Sequence, residues 1–420
     1  MAKFIIKGQQ KLSGEIKVNG AKNLALKVIP AAILLAEPMV ISNMPRIEDT
    51  EKSLELMSAI GFKVEKKSSN KYVIEAKNLK TKELPAKLAD KFRTSIMFVG
   101  PLLARFKEIR FPHPGGCVIG AGGRPIDLFL DGFKALGAEI KVEEKFYHLK
   151  AKKLKGAEFF FPKVSVTVTE NLMMTACLAE GRTILKNCAM EPEIKYLADY
   201  LNKVGAKIKG AGTPTIIIDG VKKLRGGSIK IMPDRIETGS FAILAAVTQS
   251  DLLIKNCDPS NVEALLSVFK KIGVNFEVGK NYIQMKKSQN LKPYNIQTHE
   301  YPGFPTDLQS PYVVLMTQAK GNSLIHETIY DRRLIWTDML SQMGANITMC
   351  DPHRVVVSGP TKLYGKKLIS PDIRAGIALL IAALIAKGTT EIDNIYQIDR
   401  GYERIDERLR KIGANIIRED

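Results

Sequence analysis

The chain has 420 residues, 45% of them apolar and 25% charged, with 63 Lys and Arg against 44 Asp and Glu and a formal charge of +19. This balance excludes wholesale disorder, provides for an ample core and, at this length, points to two or three domains. The longest apolar run, 376–386, is well short of the roughly 18 residues of a membrane span, and no signal-peptide core follows Met1, so a soluble cytoplasmic protein is expected.

The predicted elements repeat along the chain. A short strand follows Lys11-Leu12-Ser13-Gly14, a helix of apolar and Ala residues occupies 23–35, and a strand ends at Asn43. An amphipathic helix over 51–60 carries Leu54, Met57 and Ile60 on one face and stops at Gly61, which acts as its C-cap before alternating strands. The same signature of an apolar residue, Gly and a small or apolar residue returns at Gly137, Gly205, Gly273, Gly344 and Gly413, at intervals of 76, 68, 68, 71 and 69 residues. Lys-Leu-x-Gly returns at Gly156, Gly226 and Gly365, and apolar strands end in Asn again at Asn187, Asn256 and Asn394. Six β-α-β-α-β-β units therefore account for the chain. The expected class is α/β (α+β), with two domains of three units each and the helices packed inward on the sheets.

Polar residues occupy equivalent places at the start of the first helix of each unit. They are Asn19-Gly20-Ala21-Lys22-Asn23, Lys91-Phe92-Arg93-Thr94-Ser95, Lys163-Val164-Ser165-Val166-Thr167, Asp234-Arg235-Ile236-Glu237-Thr238, Pro305-Thr306-Asp307 and Asp372-Ile373-Arg374. Helix N-termini offer free N–H groups and positive potential to an anion. Asp234 and Asp372 read equally as plain N-caps. Lys22, Arg93, Lys163 and Arg374 oppose the helix dipole, and that pattern suggests a bound anion.

The segment 114–125 reads Pro-Gly-Gly-Cys-Val-Ile-Gly-Ala-Gly-Gly-Arg-Pro and lacks the P-loop spacing. Its five glycines suggest a mobile flap, and Cys117, with Arg124 nearby, has a tunable thiol suited to a nucleophile or a proton donor. Cys177, Cys188, Cys257 and Cys350 are widely spaced, without C-x-x-C, and read as small buried apolar residues. Five histidines without ligand spacing give no metal site, and no cofactor is expected. The positive charge reads either as an anionic partner or as solvated lysines, and no basic block with interleaved aromatics marks a nucleic-acid site. The tail Ile398-Asp399-Arg400-Gly401-Tyr402-Glu403-Arg404 packs charge around a Gly and reads equally as a capped surface helix.

On these segments, together with Arg124-Pro-Ile-Asp-Leu128, Pro233-Asp-Arg-Ile-Glu-Thr-Gly239 and Phe304-Pro-Thr-Asp307, the chain resembles the bacterial UDP-N-acetylglucosamine enolpyruvyl transferases (1-carboxyvinyltransferases) over its full length. The resemblance implies an inside-out barrel of two three-repeat domains, 22–230 and 1–21 plus 231–420, with substrates bound between them. It implies transfer of the enolpyruvyl group of phosphoenolpyruvate to the sugar 3-hydroxyl with release of phosphate, the first committed step of peptidoglycan synthesis. In that family's pattern Cys117 donates the proton to the methylene and Asp307 takes the proton of the hydroxyl. Lys22, Asn23, Arg124, Arg374 and Arg400 hold phosphoenolpyruvate, Lys22 and Arg400 also as catalytic residues, with Asp372 near the intermediate. Asn23, Arg93, Arg124, Pro125, Ile126, Asp127, Leu128, Lys163, Val164, Ser165, Val166, Asp307 and Ile329 meet the UDP-sugar. A loop Cys also implies inactivation by the epoxide fosfomycin.

The chain departs from the family in having six residues between Cys117 and Arg124 where four are usual, Phe129 where His is common, Met190 where Arg is usual, and Thr167-Val168 in place of Gly-Ala. The alternatives are the sister enzyme acting on shikimate 3-phosphate, and a basic RNA-binding protein on a related fold. The expected partners are the two small substrates, with no nucleic acid and no membrane.

Overall fold

The computed structural model describes residues 2–76, 79, 82–90, 93–113 and 126–420. These fall into two compact units, one of residues 20–113 with 126–232, the other of 2–19 with Pro233–Asp420.

Each repeat contributes one leading helix: α1 (Lys22–Ala31), α2 (Val99–Phe106), α3 (Val166–Ala176), α4 (Arg235–Val247), α5 (Thr306–Met316) and α6 (Ile373–Ile385). Helix α1 is shorter than the expected 23–35 because Pro30 and the bend into a 3-10 turn at Ala32–Leu34 end it early. Every residue of α4 is buried, and α6 is buried from Arg374 to Leu384. A helix apolar on all sides belongs inside a core, and α4, α5 and α6 pack on one another in the centre of their unit. The approach is close: a Cβ on Gly239 of α4 would stand 2.4 Å from Leu308 Cδ1 of α5. In the other unit α2 meets α3 through Gly100, where a Cβ would stand 1.9 Å from Asn171 Oδ1. Lys27 of α1 and Glu170 of α3 are both buried there, with Nζ 3.2 Å from Oε2 but outside hydrogen-bond geometry.

Five open four-stranded sheets and one three-stranded sheet cover these helices, among the described residues. Their inner faces carry the alternate apolar residues. In the strand Lys3–Lys7, Phe4 and Ile6 are buried and Lys7 is exposed, and each buried apolar side chain is worth about 1.5–3 kcal/mol.

The repeats are not all closed on themselves, which corrects the expectation that each unit is alike. In the third, fifth and sixth repeats the leading strand (Glu158–Phe160, Ile296–Gln297, Lys367–Ile369) lies parallel to the next strand of its own repeat. The first and fourth exchange theirs. Ser13–Lys17 pairs with Asp251–Lys255, and Gly227–Lys230 pairs with Met39–Ser42. Lys3–Lys7 lies between Thr389–Asp393 and Asn415–Glu419 and completes the sixth sheet. The second repeat has no leading strand among the described residues, hence its three-stranded sheet.

Two of the sequence markers have a direct physical explanation. All six repeat glycines sit at positive φ, between 85° and 113°, where a side chain would be strained. The four marker asparagines are also left-handed, and each side-chain amide donates to the carbonyl just beyond the parallel leading strand. Asn43 reaches Ile231 O (2.8 Å), Asn187 Phe161 O (2.8 Å), Asn256 Val18 O (2.7 Å) and Asn394 Ser370 O (2.9 Å). Each latch is worth about 1 kcal/mol net. It fixes the backbone immediately before the start of α1, α3, α4 or α6, the segments that carry the candidate site residues.

Candidate active site

In the unit of residues 20–232, Lys22 opens α1 behind Ala21, which gives no side-chain cap. Its Nζ is buried 2.8 Å from Asp49 Oδ2, on the helix Glu48–Ala59. The cation that opposes the dipole is thus matched by a buried carboxylate of its own unit. Asn23 beside it is half-buried, and Arg93 opens the 3-10 turn Arg93–Phe98. Val164, Ser165 and Val166 lead half-buried into α3, with Ser165 at the N-cap position making no side-chain cap bond, while Lys163 is exposed. Thr167 and Val168 fall in the first turn of α3. Ile126 is buried, Asp127 is exposed at the start of the helix Asp127–Ala135, and Leu128 is half-buried, whereas Phe129 packs into the core. Cys117, Arg124, Pro125 and the two-residue insertion lie outside the described residues.

In the unit of residues 233–420, Asp234 and Asp372 are N-caps. Asp234 Oδ1 accepts from the N–H of Ile236 (2.8 Å) and Glu237 (3.0 Å), and Asp372 Oδ1 from that of Arg374 (2.7 Å) and Ala375 (3.0 Å). The cap on α6 fixes the backbone from which Arg374 projects.

Arg374 spans to α5. Its Nη2 donates to Asp307 Oδ2 at 2.8 Å, while Arg333 Nη2 donates to Asp307 Oδ1 at 2.9 Å. Burial alone would raise the Asp307 carboxyl, but the Arg374 and Arg333 guanidiniums outweigh it and hold the group well below the ordinary carboxylate range. The Arg333 charge is also met by the buried Glu327, so an anionic ligand has to compete for these guanidiniums. Arg374 Nη1 also donates to the Tyr402 hydroxyl (3.4 Å), which in turn bonds Ser240 Oγ of α4 (2.9 Å). Burial pushes the Tyr402 phenol up to about 12, so it remains a neutral partner. Arg400 is half-buried, with Nη1 on Gln397 Oε1 at 3.0 Å, and Ile329 is half-buried in the turn after the strand Gly321–His326.

The cysteines divide. Burial raises the thiols of Cys177 and Cys188 to about 12 and that of Cys257 to about 11, which makes them inert. Cys350 is exposed, against the expectation of burial, because it sits on the outer face of the strand Asn346–Asp351.

A family model described as EPSP synthase (3-phosphoshikimate 1-carboxyvinyltransferase) matches residues 6–409. The chain belongs to the EPSP synthase family. Among curated relatives, it is 44% identical to the UDP-N-acetylglucosamine 1-carboxyvinyltransferase of Koribacter versatilis, covering 100% of this chain and 96% of that one. It is also 44% identical to UDP-N-acetylglucosamine 1-carboxyvinyltransferase 1 of Carboxydothermus hydrogenoformans, covering 100% and 98%. Among solved structures, the enolpyruvyl transferase NikO from Streptomyces tendae superposes with a TM-score of 0.90 at 22% identity, covering 99% of this chain and 98% of that one. EPSP synthase from Acinetobacter baumannii gives a TM-score of 0.74 at 18% identity, covering 100% of each chain. The chain is a transferase with the two-domain fold of this family.

Three residues that contact the candidate site residues or lie beside them are not marked by the sequence. Asp49 is one of several acids in a helix that reads as an ordinary amphipathic one. Arg333 follows Arg332, and nothing in the sequence tells them apart, yet the side chain of Arg333 is 2% exposed and that of Arg332 51%. Glu327 is fully buried beside Thr306, a place no local pattern marks. No helix of the described residues is long and apolar enough to cross a membrane.

Proposed function

We propose that this transferase moves the enolpyruvyl group of phosphoenolpyruvate to the 3-hydroxyl of UDP-N-acetylglucosamine, releasing phosphate, as the first committed step of peptidoglycan synthesis. We assign the reaction to the cytoplasm. The full-length 44% identity to relatives named for this activity supports the reading most strongly, against 18% to EPSP synthase itself.

The chemistry is an addition followed by an elimination. The sugar oxygen bonds to C2 of phosphoenolpyruvate as its proton passes to Asp307, and C3 gains a proton from Cys117. Phosphate then leaves C2 as the new methyl group gives up a proton, which restores the double bond. An acid and a base on opposite sides of the bond that forms are both required. Asp307 is ionised throughout the working pH range, so it can accept a proton, but two guanidiniums make it a weak base until they are drawn away. The anionic groups of phosphoenolpyruvate compete for those guanidiniums. Lys22, Asn23, Arg124, Arg374 and Arg400 are assigned to phosphoenolpyruvate. Asn23, Arg93, the segment 124–128, the segment 163–166, Asp307 and Ile329 are assigned to the sugar nucleotide. Reading the two units as halves of one reaction is part of this proposal.

The test is phosphate release from phosphoenolpyruvate in the presence and absence of UDP-N-acetylglucosamine, with Cys117→Ala and Asp307→Ala as controls. Sugar-dependent release that both variants lose is the expected result, together with a covalent fosfomycin adduct on Cys117. Release driven by shikimate 3-phosphate instead, or full turnover by Cys117→Ala, overturns the reading.

A further inference from the structure

Glu327 has no assigned role, yet its fully buried carboxylate accepts three hydrogen bonds. Its Oε2 accepts from Thr306 Oγ1 at 2.7 Å. Its Oε1 accepts from the N–H of Ile329 at 2.9 Å and of Tyr330 at 3.1 Å. Its own backbone is anchored at both ends to His353: the N–H donates to His353 O at 2.8 Å, and the carbonyl lies 3.0 Å from His353 Nδ1. Thr306 Oγ1 in turn accepts from Arg333 Nη1 at 2.7 Å, and Arg333 Nη2 reaches Asp307. A hydroxyl has one proton, and Thr306 gives it to Glu327, so its lone pair faces Arg333 and the direction of the relay is fixed.

We propose that Glu327 is a positioning residue for the transfer: one buried carboxylate that shapes the turn presenting Ile329 and, through the Thr306 hydroxyl, aims Arg333 at Asp307. The inference rests on the reading of Asp307 and Ile329 as substrate-contacting residues. It explains how Arg333 keeps its place when Asp307 turns to the sugar hydroxyl, since Thr306 still accepts from it and Glu327 still balances its charge. It also makes a specific demand on the side chain. The amide of Glu327→Gln has one accepting end and one donating end. If the oxygen faces the Ile329 and Tyr330 N–H groups, the amide nitrogen faces Thr306, whose hydroxyl then accepts from two donors and has nowhere to send its own proton. If the amide is reversed, its nitrogen opposes two N–H groups.

The experiment compares Glu327→Gln, Thr306→Val and Thr306→Ser in steady-state phosphate release and in calorimetric binding of UDP-N-acetylglucosamine. Glu327→Gln is expected to lower kcat by about 10–100-fold and to weaken sugar-nucleotide binding about 5–10-fold, because both arms are lost. Thr306→Val is expected to lower kcat by a similar factor with binding within about two-fold of wild type, since it breaks only the arm to Arg333. Thr306→Ser restores the relay and brings kcat back to within about three-fold of wild type. The double variant Glu327→Gln/Thr306→Val falls no further than Glu327→Gln in kcat. Wild-type kcat and binding in Glu327→Gln, failure of Thr306→Ser to rescue, or additive losses in the double variant would overturn the proposal. If Glu327→Gln does not fold, the Thr306 pair decides it. Full activity in Asp307→Ala sinks the parent reading instead, and is a separate outcome.

Discussion

Arg374 Nη2 stands 2.8 Å from Asp307 Oδ2, a bond between the first turns of α6 and α5 that joins an expected anion-binding cation to the expected base. Neither residue is available in the state its role requires until the other is drawn off.

Arg374→Ala therefore removes both an anion contact and a restraint on the base. We expect kcat/KM to fall by about 100–1,000-fold, with only partial recovery in Arg374→Lys, because an ammonium cannot form the planar fork. The pH profile is informative as well. The Asp307 carboxyl is held below its ordinary 3.8, so its stabilising contribution is complete above that value and declines only as pH falls below it. Wild-type kcat/KM for the free enzyme should show no ionisation of Asp307 between pH 5 and 9, whereas its acid limb should move upward in Arg374→Ala.

Tyr402→Phe tests the support behind Arg374. The change leaves the buried Ser240 hydroxyl without its 2.9 Å partner and removes the second contact of Arg374. Stability should drop by about 1–3 kcal/mol in a denaturant titration, with kcat reduced about 3–10-fold.

Gly239→Ala introduces a methyl 2.4 Å from Leu308, the residue after Asp307. Helices α4 and α5 must move apart. A loss of about 1–3 kcal/mol in unfolding free energy, with reduced turnover, is expected, and native stability and rate in this variant would contradict the packing described.

Lys27 and Glu170 give a prediction of opposite character. Burial raises the Glu170 carboxyl to about 7, against the opposing pull of Lys27. Its folded value exceeds its unfolded value near 4.5, so folding is progressively penalised as pH rises from 4.5 to 7 and the penalty is constant above. Lys27→Met, which strands the carboxylate, should destabilise the protein by about 3–5 kcal/mol at pH 8 and clearly less at pH 5, where Glu170 is protonated. The double change Lys27→Met/Glu170→Leu should be neutral or stabilising by up to about 4 kcal/mol. Thermal unfolding of the wild type and the two variants at the two pH values measures these differences.

The repeat was legible because each marker answers a local backbone conformation, although the asparagine latches reach partners 24 to 238 residues away. A left-handed glycine ends a helix, and a left-handed asparagine latches a strand. Caps such as Asp234 and Asp372 are equally local, since their partners lie two and three residues away. The strand exchange between the first and fourth repeats was not legible, because Ser13–Lys17 fits either sheet by pattern and only tertiary packing selects the partner. The partners of the site residues were hidden for the same reason. Asp307 meets Arg374 across 67 positions and Arg333 across 26, distances at which no spacing rule operates.

The strand Lys3–Lys7 has a consequence for how the protein is made. Its neighbours, Thr389–Asp393 and Asn415–Glu419, are translated more than 380 residues later, and Ser13–Lys17 must wait for Asp251–Lys255. At about 5–20 residues per second on the ribosome, that delay is tens of seconds. Residues 20–232 meanwhile hold all the strands of their own three sheets and can fold first. The segment bearing Phe4 and Ile6 thus emerges early and is buried late, and over that interval it is an apolar edge open to chaperones and to neighbouring nascent chains.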